Sequence, residues 1–506
     1  MKSNSGIVRS VGWYFFAAFG ERFCSFLLIP LITQPGYIDP VGFGVIELLV
    51  FTTLLLSGVF QGPLLSAVSR FFYNPDYIDR RGQLLFGILC ILFLCNGLVA
   101  FVFWACSDSI NQLMFHGQNY IPVVQWISAM ILLDPLLGIL NQYMFLRVLP
   151  KSFAFVSIGR GVGILAGAFF LLPGMENKLL GLIQIRVIVT AASCIPLLAI
   201  LLPYVKPTWR LRFLTHPLQF GYKGLLDCYS NIMIQSGDRY LLQWLAQEGS
   251  VGVYSLGYRI ASPIQFMTQT VIKQAIIPRF LRMESQRPIL ESLLALCTLL
   301  FYSIWMIVVV GLACYSHTII HLLARNPSYY PASGVLPLIA FSYLLHGLLY
   351  FAGFGIVLEK KSHLLSVSAV LAAVTNVLLN LWFIPMWGII GAAVATVITY
   401  LLWNGMRLFY SSRLSGIQYP IPQLLFLSIM GMIAWGIAEG VAYLYSDWNL
   451  LLRASGIFFY MIVAYPFARN AWRKANVLRN ELQRENTINT PEACGTNTSL
   501  TSSVDE

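Results

Sequence analysis

Charge is what this chain has least of. Only 10% of its 506 residues are Asp, Glu, Lys or Arg, while 58% are hydrophobic and mean hydropathy is +0.72. That scarcity excludes a soluble domain, whose surface needs far more charge, and leaves a membrane protein. The nine cysteines include no CxxC and no Cys/His pair at metal spacing. Disulfide scaffolds and metal centres are therefore not expected, and free thiols are. GxGxxG, Walker A, nucleophile-elbow and HExxH patterns are missing too, which argues against ATP hydrolysis and the commoner catalytic centres. Long polar stretches are confined to the C-terminus, where 485–506 is rich in Thr, Ser and Asn and reads as disordered. The formal charge of +11 does not point to nucleic acid, because the basic residues fall in alternate loops.

What the chain does have is apolar runs. A bilayer-crossing helix needs about 20 such residues, and by that ruler the sequence holds about 14 spans. The expected fold is thus all-α and polytopic. Six spans occupy 1–205, a basic linker from Lys206 to Lys223 follows, and six more spans occupy 224–410. Two additional spans fill 411–468, and 469–506 forms a tail. Loops of one set, together with both termini, carry 24 Lys and Arg, among them Arg70, Arg147, Arg279, Lys360, Arg407 and Arg413. The other set carries only Lys178, Arg325 and Arg453. By the positive-inside rule both termini are cytoplasmic.

The first hairpin turns through Pro40-Val41-Gly42-Phe43-Gly44 and the hairpin of the seventh and eighth spans through Ser250-Val251-Gly252-Val253-Tyr254. This echo suggests two pseudo-repeat lobes of six helices around a central cavity near the midplane.

Five arginines lie deep inside apolar stretches: Arg22, Arg160, Arg186, Arg239 and Arg259. An intramembrane charge costs a few kcal/mol or more, so it usually faces a cavity or a partner. Arg holds its charge at any accessible pH and forks onto carboxylates and phosphates, which suits an anionic substrate. Arg239 and Arg259 each sit ten residues from Gly249, about 15 Å below the turn at 1.5 Å per residue. Asp227, Asn231, Gln235 and Asp238 share one face of the seventh span, and Ser255, Arg259, Ser262 and Gln269 do so in the eighth. These polar stripes mark a cavity lining, although interhelical hydrogen bonding in a static bundle would use some of the same residue types. Glu21, Asp134 and Asp238 are candidate coupling acids. Each could equally be an internal salt-bridge partner. Asn376 and Asn380, one turn apart, are expected to bond across helices.

Three segments carry a family likeness. Asp238-Arg239-Tyr240-Leu241-Leu242, with Val251-Gly252-Val253-Tyr254-Ser255-Leu256-Gly257-Tyr258-Arg259-Ile260 after it, resembles the seventh and eighth spans of bacterial polysaccharide transporters. Asn376-Val377-Leu378-Leu379-Asn380-Leu381-Trp382-Phe383-Ile384-Pro385, then Gly388-Ile389-Ile390-Gly391-Ala392-Ala393-Val394-Ala395-Thr396, is similar to a later segment of the same proteins. Ser57-Gly58 through Ser69-Arg70-Phe71-Phe72 is similar to the end of their second span. The family is the O-antigen-flippase-like (Wzx-type) branch of the multidrug/oligosaccharidyl-lipid/polysaccharide exporter superfamily, and the likeness runs over most of Ser10 to Phe409.

The resemblance implies a flippase for an undecaprenyl-diphosphate-linked oligosaccharide in the bacterial cytoplasmic membrane, serving O-antigen, capsule or exopolysaccharide assembly. An ion gradient or the membrane potential would drive it. It implies no cofactor. Its partners would be the lipid-linked substrate, membrane lipids, and polysaccharide polymerase and chain-length machinery. Two alternatives stay open on sequence: a drug/cation antiporter of the same superfamily, which would favour an acid-dominated cavity, and a membrane-embedded glycan polymerase or ligase, which would favour a large outer loop or a catalytic acid cluster.

Overall fold

The computed structural model describes residues 2–115, 118–208, 211–222, 224–272, 276–283, 286–444 and 452–488. Among these residues the structure is helical, with no strand. The all-α, polytopic expectation is met.

Helices α1 (Lys2–Ile32) and α2 (Pro40–Phe71) form the first hairpin. Asp39 starts α2 by accepting a hydrogen bond from the Gly42 amide, and Pro40 takes the first helical position, where its missing N–H costs nothing. Then come α3 (Arg81–Ala105), α4 (Ser107–Phe115), α5 (Ile121–Ser128) and α6 (Met130–Leu146), the last two dividing one expected span. Helices α7 (Pro150–Phe170) and α8 (Lys178–Leu201) follow, with Asn177 capping α8 through the Leu180 amide. The short α9 (Thr215–Tyr222) covers part of the linker.

The second half begins with α10 (Leu225–Ser236) and α11 (Asp238–Leu245), which divide the seventh span at Gly237. Next are α12 (Ser250–Val271), α13 (Ile277–Arg282), α14 (Arg287–Cys314), α15 (Ser316–Leu323), α16 (Ala332–Ala352) and α17 (Phe354–Leu358). Helix α18 (His363–Ser415) is 53 residues long, and α19 (Ile421–Leu444) and α20 (Ala454–Ile488) are the last of the described helices.

Ten helices among the described residues are long and apolar enough to cross a membrane, against about 14 expected. Part of the difference has a plain cause. Helix α18 holds two expected spans run together at Gly388, whose φ of +57° is open to glycine and strained for other residues. The seventh span is divided into pieces of 12 and 8 residues. Of the tail expected from 485, residues 485–488 continue α20 and 489–506 lie outside the described residues.

In the first half α1 packs on α7, and α6 packs on α2, α3 and α8. In the second half α16 packs against α12, α14 and α18, and α20 lies on α14 and α19. Helix α16 is the most enclosed of the membrane-length helices: 83% of its apolar window is buried, against 28% for α3 and α19. It is therefore the axle of its half, while α3 and α19 turn their apolar faces outward, as lipid-facing helices do. Helix α2 joins the halves, packing on α12, α9 and α10.

Candidate functional site

The join is tightest where α2 crosses α12. A methyl group added to Gly252 would collide with the Pro40 carbonyl, and one added to Gly44 would lie 3.2 Å from the Gly252 nitrogen. Only glycines let two backbones approach like this. The same end is fastened by the Asn326 amide donating to Thr33 O at 3.0 Å and by Tyr329 donating to Ile38 O at 3.0 Å.

The expected charges fall in two groups, one within the first half and one just inside this crossing. In the first half, Arg160 of α7 donates to Glu21 of α1, and its other guanidinium nitrogen is 3.9 Å from Asp134 of α6. Arg186 of α8, half-buried, is within electrostatic reach of Asp134 and Arg160.

At the junction, Arg259 of α12 donates to Glu47 of α2 at 2.6 Å and lies 4.7 Å from the centre of the Phe43 ring. Arg239 is buried, donates from Nε to Ser255 Oγ at 3.0 Å, and stacks over Tyr258 at 5.0 Å. Asp238 is fully buried and accepts from the hydroxyls of Tyr254 and Tyr258. Both bonds go to Oδ2, and Oδ1 is buried with no hydrogen-bond partner among the described residues, so the carboxylate is only half satisfied.

Arg186 links the two groups, lying within electrostatic reach of Arg259 and Glu47 as well as of Asp134 and Arg160. Arg22 differs from the other four. It is exposed on α1, its guanidinium lies 5.6 Å from the centre of the Phe266 ring, and it makes no ion pair among the described residues.

The polar stripes divide. On α12, Ser255 serves Arg239, while Ser262 donates to its own helix at Arg259 O. On α10, Gln235 accepts from Gln265 of α12 at 2.7 Å, and Asn231 donates to its own helix at Asp227 O. Asp227 turns instead to Arg407 of α18, 3.9 Å away. The Gln269 side chain lies outside the described residues.

Arg407 requires a correction. The sequence places it in a loop, but α18 continues eight residues beyond it and buries it against Trp403, Ser368 and Leu349 O. Asn376 does bond across a turn in the chain, donating to Thr399 beyond the Gly388 kink, whereas Asn380 donates back to Asn376.

Glu47 was missed. It is a lone acid between Ile46 and Leu48 with no basic neighbour in its own helix. The available signal was depth: Glu47 is seven residues past Pro40, so it sits about 10 Å below the turn by helical rise and can meet Arg259 from the other hairpin.

The described residues thus form a multi-pass helical bundle in two packed halves, with charge gathered at their junction. Comparison with known proteins gives what it is similar to. Residues 86–326 match the family model described as "Polysaccharide biosynthesis protein". A stretch of 132 residues is 28% identical to a probable low-salt glycan biosynthesis flippase, Agl15, of Haloferax volcanii. It covers 26% of this chain and 28% of that relative's length.

The fold is that of the lipid II flippase MurJ in an inward closed conformation, with a TM-score of 0.72 and 15% identity over 90% of this chain and 99% of that one. An inward-facing multidrug resistance MATE family transporter of the MOP superfamily matches with a TM-score of 0.62 and 11% identity over 78% of this chain and 95% of that one. The polysaccharide-exporter resemblance carried by the sequence motifs is borne out. These relatives are transporters and flippases, not enzymes.

Proposed function

We propose that the chain flips an undecaprenyl-diphosphate-linked oligosaccharide from the cytoplasmic to the outer leaflet of a bacterial cytoplasmic membrane, for surface polysaccharide assembly. One observation carries this reading. Arg239 and Arg259 sit where the halves meet, and Arg186 lies within electrostatic reach of Arg259 there and of Arg160 in the first half. Guanidinium groups there can fork onto a diphosphate, while the polyprenyl tail stays among acyl chains beside the bundle.

In this reading 1–205 and 224–410 are two lobes that rock about the region, 411–468 is an added pair of spans, and both termini are cytoplasmic. Arg22, Arg239 and Arg259 contact the anionic group directly, with Arg160 and Arg186 behind them. Glu21, Asp134 or Asp238 couples the cycle to an ion gradient or to the membrane potential, which supplies about 2.3 kcal/mol per charge per 100 mV. Polymerase and chain-length machinery take the product. An arginine-rich site speaks against the drug/cation antiporter.

The test is glycan assembly in cells that lack their own flippase. Expression of this chain restores assembly, and Arg259→Ala at equal membrane abundance does not. Restoration by the Ala variant at the level of the parent chain sinks the reading.

A further inference from the structure

Glu47 is the one carboxylate of the junction to which transport has so far given no task. Asp238 is held by two tyrosine hydroxyls, and Glu21 and Asp134 by Arg160 from within their own half. The hydrogen bond described for Glu47 comes from the opposite half, from Arg259. Both side chains keep some exposure, 15% for Glu47 and 25% for Arg259, so a ligand can reach the pair. Glu47 is one helical turn below Gly44 and Arg259 two turns below Gly252, which places the ion pair directly under the crossing of α2 and α12.

We infer that Glu47 is a resident stand-in for the substrate's anionic group: it occupies Arg259 while the site is empty, ties α2 to α12, and is displaced when a diphosphate takes its place. This rests on the anion site of the proposed function. Carboxylate and phosphate oxygens present the same acceptors to a guanidinium. A monoanion arriving at Arg259 exchanges one charge-assisted bond for another and gains little. A diphosphate carries a second anionic group, and that group can engage a neighbouring arginine, Arg239 or Arg186, whose fields already overlap Glu47. Glu47 thus sets a threshold that favours diphosphates over monophosphates. Its release also removes the tie that holds the crossing shut, so ligand binding and movement of the halves become one event.

The experiment measures binding of inorganic pyrophosphate and inorganic phosphate to the purified full chain in detergent by calorimetry. The parent protein binds pyrophosphate more tightly than phosphate. Glu47→Gln tightens pyrophosphate binding by about tenfold and narrows the preference, because the competitor is gone. Arg259→Gln loses binding, and the double variant matches Arg259→Gln alone.

If Glu47→Gln leaves both affinities unchanged while Arg259→Gln abolishes binding, the stand-in role is overturned and the anion site survives. If Arg259→Gln binds pyrophosphate as the parent does, the anion site falls and the stand-in role with it. Glu47→Asp keeps the charge on a shorter side chain and is expected to fall between parent and Gln. It decides by the same criterion should the Gln variant fail to fold.

Discussion

Arg259 and Glu47 stand 212 positions apart in the chain, and their side chains meet at 2.6 Å where α2 faces α12. The pair shows that, Arg22 apart, the intramembrane arginines are not loose positive charge. Arg160 is matched to Glu21 and Asp134, Arg259 to Glu47, and Arg239 lies beside Asp238. Such matching lets charge persist in a membrane without an uncompensated desolvation cost. It also means that any anionic ligand has to compete with the protein's own carboxylates, which turns ligand binding into an exchange of partners.

The exchange makes the shape of the cation matter. Arg259→Lys keeps the charge but loses the planar fork, so bidentate contact is lost. Glycan assembly in flippase-deficient cells is expected to fall to a fraction of the parent level with Lys and to background with Ala, at equal membrane abundance. Lys activity equal to the parent would show that only charge is required at this position.

Gly252 offers a second test, through the backbone. Gly252→Ala places a methyl against the Pro40 carbonyl, so the crossing of α2 and α12 cannot close as it stands. The variant is expected to reach the membrane but lose transport, and spin labels on the Pro40 and Gly249 turns, in a background lacking exposed cysteine, should report a longer distance. Wild-type spacing together with wild-type transport would remove the crossing from the cycle.

The coupling acids are tested by neutralisation. Glu21→Gln, Asp134→Asn and Asp238→Asn are to be assayed for gradient-dependent flipping in proteoliposomes across external pH. Loss of the gradient dependence in one variant that still folds identifies the coupling acid. Parent-like transport and pH dependence in all three would leave them as partners of arginines and move coupling elsewhere.

Much of the fold was legible because apolar runs of bilayer length have one stable form, the helix. The Gly388 turn is visible as the glycine after Pro385-Met386-Trp387. The site was half legible. Arginines stand out against leucine, so Arg160, Arg186, Arg239 and Arg259 declared themselves. Their partners did not, since which carboxylate meets which guanidinium is decided by tertiary packing across more than a hundred residues. Glu47 lay hidden as a single acid in an apolar run, and Arg407 groups with the following loop because it closes an apolar run of ordinary span length. The polar face of the seventh span was visible, but not that Asp227 would turn to α18 while Gln235 turns to α12.

Topology is checked independently by single-cysteine accessibility. Cysteines at Asp108, Asn177, Glu248 and Asn326 are expected to label from outside the cell, and those at Tyr77, Ser152, His216 and Ser412 only after permeabilisation. The alternation of Lys and Arg between loops motivates this assignment. Two adjacent loops labelled from the same side would remove a span from the arrangement.

Arg22 and Arg239 separate transport from stability. Arg239 is buried, stacked on Tyr258 and bonded to Ser255 beside a buried Asp238. Arg239→Ala removes the bond to Ser255, the stacking on Tyr258 and the positive charge nearest Asp238, so membrane abundance and thermal stability in detergent should drop. An added Asp238→Asn change should recover much of the loss. Arg22 is exposed on α1 and lies over the face of Phe266, a contact worth about 0.5–1 kcal/mol. Arg22→Ala should therefore leave abundance and melting temperature near the parent values while glycan assembly collapses. That dissociation is expected of a residue kept for a ligand and not for the fold. Full assembly by Arg22→Ala at normal abundance would strike Arg22 from the site and leave anion contact to the arginines of α11 and α12.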